Sequence, residues 1–176
     1  MNAPGRLATL AVLAVFGALL SAGSSAPAQT AYPAATSITA SGVGGVKLGK
    51  TFGTLYDAHL IGPLKPGCEL GGPNTRSAQL RLPLRGSVDF TLTRPRKATN
   101  ITIMRGATAR GVGSGATIAQ IKAAFPKAIV DHGTEQVFQT TSVRIPKSGG
   151  GRIEFAVDIH TNKTILIGVP FIAACE

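Results

Sequence analysis

Residues 44–51 read GGVKLGKT, which fits the phosphate-loop pattern G-x-x-x-x-G-K-[ST] letter for letter. A phosphate loop needs a buried parallel strand before it, a long helix after it, and an acidic residue ending another apolar strand to hold magnesium. Here TSITASGV leads into Gly44 as a short strand at best, Phe52 to Leu60 makes only a short helix, and no apolar run ends in Asp. A second copy of the stretch decides between the readings. LGKTFGTLYDAHL (48–60) aligns with SGATIAQIKAAFP (114–126), so that Gly49 falls on Gly115, Thr51 on Thr117, Phe52 on Ile118 and Leu55 on Ile121, while Lys50 falls on Ala116. What recurs is the start of a helix, and what is lost is the phosphate ligand. No nucleotide and no cofactor are expected.

The correspondence continues downstream. SVDFTLTRPRKATNITIM (87–104) aligns with RIEFAVDIHTNKTILIGV (152–169) after a one-residue loop difference, bringing Val88 onto Ile153, Phe90 onto Phe155 and Leu92 onto Val157. The shared order of these matches predicts a tandem duplication. In each copy Thr51 or Thr117 stands where an N-cap belongs, ahead of apolar residues at helical spacing: Phe52, Leu55, Tyr56 and Ile118, Ile121, Phe125. Gly62-Pro63 and Pro126 are expected to end the two helices. Period-two strands follow. Leu80, Leu82, Leu84, Val88, Phe90 and Leu92 point to the core in the first half, and Ile153, Phe155, Val157 and Ile159 in the second. Arg85-Gly86 and Ser148 to Gly151 read as hairpin turns, as do Arg94 to Lys97 and Thr161 to Lys163. The expected fold class is α+β, with two tandem helix-plus-antiparallel-meander units, each helix packed on the apolar face of a sheet.

These lead-ins and meanders resemble the tandem modules of beta-lactamase inhibitory protein and of small envelope proteins of the BamE/SmpA type. The resemblance spans most of residues 43–170 and implies a protein-binding rather than a catalytic role. No contact residue is carried over, because only the glycine, threonine and apolar positions match.

The N-terminus adds a compartment. Residues 1–28 hold a single charge (Arg6), an apolar run from Leu7 to Leu20 and then small residues ending Ala26-Pro27-Ala28. This is the layout of a secretory signal peptide, the alternative being an uncleaved anchor. Leu20-Ser21-Ala22-Gly23 looks like a lipoprotein box, but Ser24 stands where the lipidated cysteine would be. The expected organisation is a signal peptide at 1–28, a flexible mature N-terminus at 29–42, and repeat units at 43–106 and 107–176, with no transmembrane segment in the mature chain. The only two cysteines, Cys68 and Cys175, are expected to form one disulfide in an exported chain.

The chain carries a formal net charge of +10, and the excess is concentrated. Arg76, Arg81, Arg85, Arg94, Arg96, Lys97, Arg105 and Arg110 are opposed within that span by Asp89 alone. Such a block suits polyanionic partners, although solubility also accounts for it. Arg81, Arg85, Arg94, Arg96 and Lys97 are the candidate binding surface.

Catalytic patterns are missing. There is no G-x-S-x-G elbow and no H-E-x-x-H pair, so no catalytic residue is assigned. Glu154, Asp158 and His160 share a strand face by alternation, but spacing is not coordination geometry, and no metal is assigned. Sparse aromatics argue against nucleic acid. The sequons Asn100-Ile-Thr102 and Asn162-Lys-Thr164 occur and would stay bare in a bacterial source. The expected function is a secreted, inhibitor-like, non-catalytic protein that binds an extracellular protein partner. The alternative is a cell-envelope module that binds anionic polymers through residues 76–110.

Overall fold

The computed structural model describes residues 36–68, 72, 74–147 and 151–173. The expected signal peptide, 1–28, and Cys175 lie outside the described residues. Among the described residues, thirteen strands and three short helices run in chain order as β1 (Thr36–Thr39), β2 (Gly42–Val43), β3 (Val46–Lys47), α1 (Phe52–Asp57), β4 (Ile61–Pro66), β5 (Arg76–Leu80), β6 (Arg85–Phe90), β7 (Ala98–Arg105), β8 (Ala107–Ala109), β9 (Val112–Gly113), α2 (Ile118–Ala124), β10 (Ile129–Asp131), α3 (Glu135–Phe138), β11 (Thr140–Pro146), β12 (Arg152–Asp158) and β13 (Lys163–Val169). They form an eight-stranded sheet of order β10-β11-β12-β13-β7-β6-β5-β4 and a five-stranded sheet of order β3-β2-β1-β8-β9. Pairing is antiparallel except between β1 and β8.

The fold is therefore mostly β, and the expected α+β class of two helix-plus-meander units is incorrect. Two physical facts account for the difference. Helices α1 and α2 span only six and seven residues and bury one side chain each, Leu55 and Ile121. One buried Leu or Ile contributes roughly 2 kcal/mol, too little cover for a sheet face. The stretches ahead of the helices do that work as strands: Ile38, Val43 and Val46 from one side, Ala107, Ala109 and Val112 from the other. They join Val88, Ile101, Ile103, Phe155 and Ile167 of the larger sheet in one apolar cluster. Nor are the meanders separate, because β13 pairs with β7 and makes a single sheet of them.

Several local expectations change with this architecture. Residues 36–42, assigned to a flexible N-terminus, hold β1, the central strand of the smaller sheet. Helix α1 stops at Asp57, and His59 takes a left-handed φ of 56°. Gly62 and Pro63 consequently lie inside β4, an edge strand, where proline is tolerated. Arg85-Gly86 is not a turn: β6 begins at Arg85, and residues 81–84 make the reversal. Leu82 then projects from that turn at 78% exposure, Leu92 is 54% exposed after β6, and Ile159 is 41% exposed, so these three are not core residues.

The opening stretch has a structural role. Gly44 and Gly45 turn between β2 and β3, and Thr51 caps α1, its side chain accepting from the Thr54 N–H. Thr117 caps α2 in the same way from Gln120, whose side chain accepts in return from the Thr117 N–H. The backbone repeats too. Gly49 N–H donates to the Ala98 carbonyl and Ala98 N–H to that of Lys50; Gly115 donates to Thr164 and Thr164 to Ala116. Both glycines hold positive φ, 79° and 84°, a conformation that costs glycine little. Lys50 contributes its backbone to this arrangement, and its side chain is exposed.

Candidate interaction surface

Strand β6 starts at Arg85 and ends at Phe90, so it separates the expected basic surface into two groups. Arg81 and Arg85 flank the 81–84 turn at one end. Arg94, Arg96 and Lys97 occupy the β6–β7 link at the other, about 20 Å away at the usual strand rise. The five residues thus form two groups at opposite ends of β6 rather than one patch. The groups also differ in how far they are engaged. Arg96 is half-buried and donates to the carbonyls of Thr91 and Leu92, closing the link. Lys97 forms part of the same link through its backbone, which bridges to Thr51.

The Arg81–Arg85 end gains residues that strand alternation did not reveal. Arg105, at the end of β7, is the direct cross-strand partner of Arg85. Arg110 lies in the β8–β9 turn, its guanidinium stacked 5.1 Å from the Phe125 ring centre and donating to the Ala124 carbonyl. Arg81 donates through Nε to the Ile61 carbonyl. Between Arg105 and Arg110 opens a shallow concavity of about 920 Å³, lined mainly by the glycine- and alanine-rich 106–116 segment, with Pro83 at its rim. Leu82, next to Pro83 in the 81–84 turn, lines a separate, smaller concavity with Arg81 and His59. The signal for Arg105 was present in the basic block. Its pairing with Arg85 depends on the register shift between Arg85 and Gly86, which composition does not encode.

This end is electrostatically uncompensated. Like charges directly opposite on neighbouring strands are destabilising, and the ion pairs among the described residues are His132–Glu135, Arg144–Asp131 and Arg152–Glu154. None of them reaches Arg81, Arg85, Arg105 or Arg110. Asp89, the acid within the block, is turned toward Asn100 across the strand, where it accepts from Nδ2 at 3.3 Å. Burial raises its pKa above the ordinary value, with the Asn100 bond opposing.

Glu154, Asp158 and His160 do not converge. Asp158 Oδ1 accepts from His160 N–H, Thr161 N–H and Thr161 Oγ1, which ties its carboxylate into the β12–β13 turn and lowers its pKa. His160 Nε2 meets Gln139. Glu154 instead accepts from Ser142 Oγ and from the Ile172 N–H. No group of three or more metal-ligating side chains occurs among the described residues. Asn100 is 2% exposed in mid-strand, whereas Asn162 lies in the exposed β12–β13 turn. No helix among the described residues is long and apolar enough to cross a membrane.

Compared with known proteins, the chain matches no family model, no curated protein and no solved structure.

Proposed function

We propose that this chain is an exported, non-catalytic binding protein that engages an acidic protein surface through the end of its larger sheet carrying Arg81, Leu82, Arg85 and Arg105. The observation that carries this reading is the Arg85–Arg105 pair, opposite one another with no ion-pair partner among the described residues. Such a pair costs stability in the free protein, and an acidic partner relieves that cost. Leu82 favours a protein over a polymer, because an apolar side chain 78% exposed between arginines matches the anchor-and-rim layout of protein interfaces. The envelope-polymer reading rests on a different observation, the exposed Arg94 and Lys97 at the far end, which extend the positive surface along the sheet.

The test is affinity capture from the extracellular fraction with three baits: the native chain, Leu82→Ser, and the double variant Arg85→Gln/Arg105→Gln. Each captured protein is then purified and its binding remeasured. Loss of a purified partner with both variants supports the proposal. Capture that survives the double variant refutes it. Retention of an envelope polymer that is salt-labile and indifferent to Leu82→Ser identifies the alternative.

A further inference from the structure

A second site lies on the opposite half of the large sheet, independent of the arginine end. After β13 the chain folds back across the outer sheet face, and two features fix that fold-back. A Cβ at Gly168 would collide with the Phe171 carbonyl, so only glycine lets residues 171–172 lie this close to the sheet. Glu154 then holds the segment by accepting the Ile172 N–H at 3.1 Å. Between this strap and α3 remains a cleft of about 250 Å³, lined by Phe138, Ile165, Leu166 and Ile172, with Ala156 and Ser142 on its floor.

The cleft is built rather than left over. A larger side chain at Ala156, itself 6% exposed, would fill it, and unfilled apolar space costs stability. Phe138 and Ile165, which line it, remain 44% and 42% exposed. Of the polar lining, the Thr134 hydroxyl is spent on the Thr140 carbonyl and the Thr140 hydroxyl can donate or accept, whereas the Ser142–Glu154 pair is one-sided. Ser142 Oγ spends its proton on Glu154 Oε1 at 2.5 Å, so the hydroxyl and the carboxylate both present acceptor capacity and no donor. Arg152 stands 3.9 Å from Glu154 Oε2 and offsets its charge, which removes the incentive for a cation. We propose that this cleft binds a small, uncharged, largely apolar molecule with a single hydrogen-bond donor, oriented so that the donor meets Glu154 or Ser142. The volume is below the usual range for drug-sized ligands, which limits the occupant to about one or two fused rings.

Indole and 1-methylindole form a matched probe pair that differs in the donor. Titration of the ¹⁵N-labelled protein with each should move amide resonances at 140–142, 154–156 and 165–166, with indole binding about tenfold more tightly. Glu154→Gln should narrow the difference between the two probes, because an amide oxygen accepts more weakly than a carboxylate. Ala156→Leu, which fills the cleft and leaves Glu154 in place, should abolish binding while the rest of the spectrum is retained. Equal affinities for the two probes in the native protein would overturn the donor assignment. Absence of shifts at millimolar probe, or shifts that persist in Ala156→Leu, would overturn the site.

Discussion

Asp89 shows what a single side chain contributes. Its carboxyl is desolvated on the outer sheet face beside Asn100, and the Asn100 Oδ1 is buried without a hydrogen-bond partner. A carboxylate whose folded pKa is raised binds its proton more tightly in the native state. Stability from this group is therefore greatest below the unfolded value and falls as the pH climbs through the raised one, leaving a net cost at pH 7. Asp89→Asn removes that charge, keeps an acceptor for Asn100 Nδ2 and adds a donor for the orphaned oxygen. It should stabilise the protein at pH 7 by about 1 kcal/mol, and urea unfolding at pH 7 and at pH 4 should show the gain shrinking in acid. The sequence displayed Asp89 as the lone acid in a basic block, but its partner was hidden, because Asn100 faces it only through the β6–β7 register.

At the scale of elements, the helix lead-ins were the most legible feature. Glycine, then threonine two residues later, then apolar residues at helical spacing predicted both caps, and both form. The tolerance of Lys50 follows from its counterpart. Lys50→Ala should leave the melting temperature nearly unchanged, since Ala116 makes the equivalent backbone bonds. Thr51→Ala and Thr117→Ala should each cost about 1 kcal/mol, because each removes the hydroxyl that accepts a first-turn N–H, while the bond from the Thr117 N–H to Gln120 survives the change. Apart from β1, which TSITASGV offered as a short strand, the strands of the smaller sheet were not legible. Two or three residues such as Val46–Lys47 or Ala107–Ala109 are too short to show alternation. Their glycine-rich turns read as loop, which left the helices to cover the sheet. Leu82 misled for the opposite reason: it keeps strict alternation with Leu80 and Leu84 but falls in the 81–84 turn, where the period no longer applies.

For the molecule as a whole, the two halves of the chain meet in one sheet at β7–β13, and we expect a covalent tie to add to that junction. Intact mass with and without reductant and alkylation should show Cys68 and Cys175 bonded; two alkylatable thiols in the native, unreduced protein would refute the pairing. Such a bond closes a loop of about 100 residues and stabilises by on the order of 4 to 5 kcal/mol in the chain-entropy model. The charge asymmetry has a larger consequence. The first half keeps Arg85 and Arg105 opposed and uncompensated, a cost that binding to an acidic surface would explain and solubility alone would not, since well-spaced charges dissolve a protein equally well. The most direct test is thermal unfolding of the native chain and of Arg105→Glu, each with and without an acidic peptide. We expect Arg105→Glu to gain a cross-strand pair with Arg85 and melt about 2 °C higher without peptide, while only the native chain is stabilised when peptide is added. An Arg105→Glu protein that melts no higher than the native chain, or an equal response of both proteins to the peptide, would contradict the account.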